Sequence, residues 1–227
     1  DIGAAVFYVW PGVTVYSGVA YVELPLIFYG TLAFWALLWS WRRKRTRPKP
    51  RGWIILSGIA TGLALGVKYT AALFLFVPIL IWIVLLGLRQ RQPVKEIARR
   101  GVIFAAVALI CFSPWLVRNF LNTRNPVYPL LYSVVGGSNW DAQKDARWTR
   151  EHSPRDTSLA TLAAQARDVL FFNENKVSLM MLMFAPFALL ARRRERDTAL
   201  WLALNTFLLF GLWFFFTQQN ARFLEAG

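Results

Sequence analysis

The sequence predicts an all-α fold: a polytopic transmembrane helix bundle of about six full spans and one partial span. Three observations predict it: uninterrupted apolar runs, basic residues gathered in the short segments between them, and one long polar stretch. A bilayer core is crossed by about 20 apolar residues, or about 17 at the short end. Within hydrocarbon every backbone amide must bond inside the chain, so continuous runs are helices, whereas a spanning barrel would alternate.

The runs follow one another cleanly. Residues 2–10 are a partial run of nine, worth about 14 Å of helix and too short to cross. Full spans follow at 24–41, 52–67, 69–88, 102–117, 177–191 and 199–216. Between them lie basic loops at 42–51, 89–100 and 192–197, which hold 16 of the 26 Lys and Arg against Glu96, Glu195 and Asp197. If the spans alternate, these three loops share one side and carry a net +13, leaving +1 for the rest of the chain. The positive-inside rule makes that side cytoplasmic. The 227 residues are read as one transmembrane domain, part of a larger polytopic protein, since the chain starts without Met and its first run has no basic flank of the kind a signal peptide carries.

The same distribution settles the meaning of the formal charge of +14. A nucleic-acid surface gathers its cations on one folded face, and here they are dealt out between hydrophobic spans, so nucleic acid is not an expected partner. Other soluble chemistries leave no trace. Cys111 is the sole cysteine and lies inside a span, so no disulfide or thiolate metal site can form within the chain. His152 is the sole histidine, no Gly-rich phosphate loop or GxSxG elbow occurs, and no ligand cluster demands a metal.

The outer loop, 118–176, begins RNFLNTRNPVYPLLYSVVGGSNWD. Asn125-Pro126, Pro129 and Gly136-Gly137 impose turns. Tyr128, Tyr132, Trp140 and Trp148 suit a loop on the headgroup layer. Leu159, Leu162, Ala163, Ala166 and Leu170 recur at helical spacing opposite Thr161, Gln165 and Asp168, which predicts a short amphipathic helix. In the second span Gly58, Gly62 and Gly66 form a small-residue stripe, a face along which another helix can approach closely. Pro78 predicts a kink in the third.

No full span contains an ionisable residue. Glu23, Lys68, Arg118 and Arg222 instead sit at outer ends of spans. Transporters usually hold charges or broken helices near the midplane, so a transporter or flippase of lipid-linked sugars is the weaker alternative, beside a non-catalytic membrane subunit. Charge at the boundary suits chemistry on a substrate that is itself part lipid. Moving a sugar off a lipid phosphate requires cations for the leaving phosphate and a base for the acceptor proton. Lys68, Arg118 and Arg222 are candidates for the first task. A carboxylate performs the second, directly or by holding a divalent cation.

The segments SGVAYVELPLIFYGTLAFWALL, SGIATGLALGVKYTAALFLFVPIL and PWLVRNFLNTRNPVYPLLYSVVGG resemble membrane glycosyltransferases of the C-type fold. The likeness is to protein-mannosyltransferase-like and aminoarabinose-transferase-like enzymes, and TQQNARF resembles their late outer-loop segment. The resemblance covers most of 4–140. It implies transfer of a hexosyl or pentosyl group from a polyprenyl-phosphate-linked donor, at the extracytoplasmic face of the plasma membrane. It also implies two acidic residues, one in a first outer loop that precedes Asp1. The second occupies a Y-x-(D/E)-x-P context that Tyr21-Val22-Glu23-Leu24-Pro25 matches, with Glu where Asp is frequent. Glu23 is therefore the catalytic candidate, with Lys68, Tyr69, Arg118, Asn119 and Arg222 as substrate-binding candidates. Asn119, beside that candidacy, and Asn125 read first as turn and backbone partners.

Overall fold

A computed structural model describes residues 22–42, 51–153, 156–168 and 193–217. The described residues are all-helical apart from turns and connecting segments, as the apolar runs predict. They fall into two units, one of Pro25–Ser153 and one that takes residues up to Leu24 together with those from Pro154 onward.

The first unit is built on four long helices: α1 (Glu23–Arg42), α2 (Arg51–Val67), α3 (Val77–Arg89) and α4 (Val94–Thr123). The stretches Glu23–Trp41, Ala72–Arg89 and Val94–Thr123 are long and apolar enough to cross a bilayer, and Gly52–Val67 is a shorter apolar helix. The chain is a multi-pass membrane protein.

Helix α4 extends beyond the span expected at 102–117. Its 30 residues reach about 45 Å against a hydrocarbon core of about 30 Å. The excess is polar at both ends, which is why hydropathy alone truncates it. At the start, Glu96 pairs with Arg99 at 2.9 Å and Arg100 at 3.0 Å, one helical turn away, so the basic segment is helical from Val94. At the other end the helix continues through Arg118 and Asn119 to Thr123 and stops where Arg124 turns left-handed at φ 61°. Pro114 lies inside α4 and cannot donate to the Ile110 carbonyl, and the Ser113 hydroxyl takes that place at 2.7 Å.

The glycine stripe on α2 packs on α4 over only part of its length. A Cβ built on Gly58 would come within 2.9 Å of the Phe104 carbonyl oxygen. One on Gly62 would overlap the Ala108 carbonyl oxygen and approach the Cys111 Cβ to 2.6 Å. A Cβ on Gly66, on the same stripe, would meet nothing within 4 Å among the described residues. Between α3 and α4, Gly87 admits Ile97, and Phe76 and Phe104 meet with centroids 5.5 Å apart.

The kink expected at Pro78 takes the form of a π-helical turn. Residues Ala72–Phe76 are wound as a π-helix, the Val77 amide reaches back to the Ala72 carbonyl, and Pro78 occupies the first turn of α3. An insertion of this kind absorbs the donor that proline lacks. At the opposite end of these helices an aromatic belt ties the bundle. Trp35 and Trp53 are edge-on at 5.1 Å, Trp39 and Trp53 at 6.1 Å, and the Arg100 guanidinium lies 4.4 Å over the Trp41 ring.

After α4 the chain makes α5 (Tyr132–Val135) and α6 (Ala142–His152). Helix α6 was not expected. In the second unit, α7 (Leu159–Arg167) is the short amphipathic helix, started by the Ser158 hydroxyl accepting from the Thr161 amide. Helix α8 (Arg193–Phe216) contains the last predicted span and buries Leu209, Trp213 and Phe214. The spans at 2–10 and 177–191, the 42–51 loop beyond its two ends, and Arg222 lie outside the described residues.

Candidate functional site

The turn between α2 and the π-helical segment is tight. The Lys68 amide donates to the Ala64 carbonyl at 3.0 Å, and the Lys68 and Tyr69 carbonyls accept from Ala71 and Ala72 at 3.0 and 2.9 Å. With both neighbours held, Tyr69 projects its ring onto α4, where it meets Phe112 edge-on at 6.2 Å.

The Tyr69 hydroxyl oxygen accepts two hydrogen bonds from α4. Trp115 Nε1 donates at 3.1 Å and Asn119 Nδ2 at 2.6 Å. Both donors are side-chain N–H groups, and Trp115 and Asn119 stand four apart, on one face of the helix. A phenol also has one O–H to donate. The same indole also carries a cation, because the Arg118 guanidinium lies 5.2 Å over the Trp115 ring. Tyr69, Arg118 and Asn119, three of the sequence candidates, are thereby brought together around Trp115, with Lys68 adjacent to Tyr69 in the turn.

Sequence reasoning missed Trp115. As one Trp of 11 it reads as span filling, and its partner Tyr69 is 46 residues away. Its spacing of three and four residues from Arg118 and Asn119 is the signal that was present.

The exposed flank of this cluster is an open face of α4 formed by Ser113, Pro114, Val117, Arg118, Leu121 and Asn122, with Val117 and Leu121 as its apolar floor and Arg118 as its cation.

The loop after α4 is held rigidly against the end of that helix. Asn125 is fully buried, and its carboxamide donates to the carbonyls of Leu130 at 2.9 Å and Gly136 at 3.0 Å while accepting from the Val127 amide at 3.0 Å. Asn125 therefore has the turn-forming role expected of it. The Ser138 amide donates to the Thr123 carbonyl at 2.8 Å, and the Thr123 hydroxyl to the Asn119 carbonyl at 2.8 Å. Asn119 also reaches the Pro126 carbonyl at 3.4 Å, so it joins the Tyr69 cluster to this loop. Further on, Asp141 caps α6 through the Lys144 amide at 2.8 Å, and that bond holds its carboxyl below the usual range. His152 is exposed and stacked on Trp148 at 4.2 Å.

Glu23 is the first residue of α1 and is 3% exposed. Its helix ends 19 residues later, just past Trp41 with the Arg100 guanidinium over its ring, so the carboxylate stands at the opposite end of α1 from the 89–100 segment.

Residues 2–123, just over half of the chain, match the family model described as dolichyl-phosphate-mannose-protein mannosyltransferase. The chain belongs to that family. No curated protein and no solved structure matches it. Membership makes this protein-mannosyltransferase family member a membrane glycosyltransferase in general. The matched region spans α1 to α4 and includes Glu23, Lys68, Tyr69, Trp115, Arg118 and Asn119.

Proposed function

We propose that the chain transfers a sugar from a polyprenyl-phosphate-linked donor to an acceptor at the extracytoplasmic face of the plasma membrane. The observation that carries this reading is the cluster around Trp115, whose indole donates to the Tyr69 hydroxyl and lies under the Arg118 guanidinium, with Asn119 donating to the same hydroxyl. A phenolic donor and a guanidinium together suit a phosphate oxygen whose charge grows as the sugar departs. Lys68 adds a second cation for the same phosphate. The apolar floor at Val117 and Leu121 suits the first isoprene units of the donor. Glu23 is assigned the acceptor proton: as the acceptor oxygen forms its bond to the anomeric carbon, the bond to phosphate breaks and the carboxylate takes the proton. A single displacement of this kind inverts the anomeric centre. Arg222 keeps its sequence-based assignment to donor binding.

The direct experiment incubates the full-length protein with labelled polyprenyl-phosphate sugars and identifies the glycosylated product. Absence of transfer with every donor, from protein that melts cooperatively, would overturn the reading. Within it, Lys68→Met keeps the apolar stem but removes the charge, and Tyr69→Phe removes the hydroxyl. Each is expected to weaken donor binding roughly tenfold, with turnover lowered less. Donor titration that is unchanged in both variants would leave Lys68 as a snorkelling anchor and Tyr69 as a packing residue.

The extracytoplasmic orientation is supported by the +13 charge of the three basic loops. Single cysteines at Lys44, Lys95 and Arg193 in a Cys111→Ala background are expected to resist an impermeant thiol reagent in intact cells. Cysteines at Asn139 and Ser153 are expected to react. The reverse pattern would invert the topology.

A further inference from the structure

The turn between α3 and α4 carries cations that the fold leaves uncompensated. Residues 89–100 hold Arg89, Arg91, Lys95, Arg99 and Arg100 against a single carboxylate, Glu96. That carboxylate is taken up by the arginines of its own helix, Arg99 at 2.9 Å and Arg100 at 3.0 Å. Arg100 is buried, with its guanidinium over the Trp41 ring. Arg91 and Lys95 are exposed, and among the described residues neither side chain has a polar partner.

Their height in the membrane follows from α3. The apolar stretch Ala72–Arg89 has 18 residues, about 27 Å of helix against a hydrocarbon core of about 30 Å. It has no length to spare, so Arg89 stands at the edge of the hydrocarbon and the turn after it lies among the headgroups. The turn is short and fixed, with the Arg91 amide donating to the Leu88 carbonyl at 2.9 Å and the Gln92 amide to the Gly87 carbonyl at 3.0 Å. On α4, Ile97 fills the space over Gly87. Lys95 is two residues nearer the turn than Ile97, as Arg89 is two nearer than Gly87, so Lys95 comes level with Arg89. Leu88 and Val94, 56% and 76% exposed, flank the two cations with apolar surface that acyl chains can cover.

We infer that Arg91 and Lys95 form a binding site for the phosphate of an anionic phospholipid in the leaflet at this end of the bundle. Two uncompensated cations at the level of the lipid phosphates suit a headgroup of net negative charge, such as phosphatidylglycerol. Phosphatidylcholine fits less well, because its choline cation would approach them. Glu96 lies beside Lys95 in the chain, and its pairing with Arg99 and Arg100 keeps it from repelling the phosphate. The site stands at the other end of α3 from the Tyr69 turn, requires no part of the proposed transfer reaction, and holds for either topology.

The test releases the full-length protein from nanodiscs of mixed phosphatidylcholine and phosphatidylglycerol and counts its retained lipids by native mass spectrometry. The parent is expected to retain phosphatidylglycerol in preference. Arg91→Gly combined with Lys95→Gln is expected to lower that preference about threefold or more, since each cation near a membrane surface strengthens anionic-lipid binding roughly fivefold. Arg43→Gln with Lys44→Gln removes the same charge from the neighbouring 42–51 loop and is expected to leave the preference in place. Absence of a preference in the parent overturns the inference, and so does an unchanged preference in the Arg91 and Lys95 variant. An equal fall in both variants overturns it too, because the attraction then belongs to the basic face as a whole. Loss of folding does not obscure the result, because Arg91 sits at φ 51°, a left-handed conformation that glycine adopts freely. Arg91→Gly alone is therefore expected to melt like the parent in pure phosphatidylcholine and to lose the parent's gain in melting temperature on adding phosphatidylglycerol. A gain that persists in full in Arg91→Gly would count against the site in the same way.

Discussion

Glu23→Gln is expected to lower turnover by about 10² or more while leaving donor affinity within a few-fold of the parent. The carboxylate opens α1, and the 18 residues that follow it carry no charge until Arg42. A buried carboxylate at this position is costly to keep unless it is used or stabilised. Two roles are open to it, and they predict different data. A helix-start carboxylate interacts with the dipole and contributes roughly 0.3–1 kcal/mol to stability, so its loss lowers the melting temperature slightly and leaves turnover alone. A general base contributes nothing to donor binding that glutamine cannot supply, and its loss falls on the chemical step. Turnover and melting temperature measured on the same preparation separate the two. Glu23→Asp keeps the charge one methylene shorter and should recover a substantial part of the activity. Turnover near the parent value for Glu23→Gln, with or without a change in melting, would end the catalytic assignment.

The fold was legible wherever a bilayer imposes its own rule on composition. Runs such as 24–41 and 52–67 have nowhere else to go, and the structure has α1 and α2 there. What hydropathy could not register was polar helix. Helix α6 is charged nearly all round, so the apolar pattern passes over it. Its signs were local instead: Asp141 as a cap, and Arg147 with Glu151 one turn on at 3.0 Å. The extra turns of α4 were hidden for the same reason, since Glu96 and its arginines look like loop until their i,i+3 and i,i+4 spacing is weighed.

The candidate site was half legible. Lys68, Arg118 and Asn119 drew attention because polar residues at the edge of a span are few. Their association through Trp115 was not foreseeable, because it depends on how α2 lies along α4, and that registration is set by glycines whose partners no periodicity reveals. The stripe illustrates the limit: spacing treats Gly58, Gly62 and Gly66 alike, yet helix packing uses only the first two.

That difference yields a paired expectation of large effect. Gly62→Leu should destabilise the folded protein severely, whereas Gly66→Leu should leave its melting temperature within about 2 °C of the parent. At Gly62 even the first carbon of a side chain meets backbone, the Ala108 carbonyl oxygen, with the Cys111 Cβ 2.6 Å away. Backbone atoms of a helix cannot rotate aside as a side-chain tip does, so α2 and α4 must separate along their contact. Overpacking typically costs about 1–3 kcal/mol even where side chains give way, and here the neighbouring contact at Gly58 is pulled apart as well. In lipid no hydrophobic drive restores the pair, because association rests on close packing. At Gly66 an added Cβ meets nothing within 4 Å among the described residues, so leucine adds apolar surface without a collision there. Both substitutions replace glycine by a better helix former, which removes helix propensity as an explanation for any contrast. Separation at Gly62 would also displace Tyr69 from Trp115 and Asn119, since Tyr69 follows α2 by two residues and its hydrogen bonds span the two helices. Donor binding should therefore fall with stability in Gly62→Leu and persist in Gly66→Leu. Equal melting temperatures for the two variants in detergent would show that α2 does not meet α4 through this stripe.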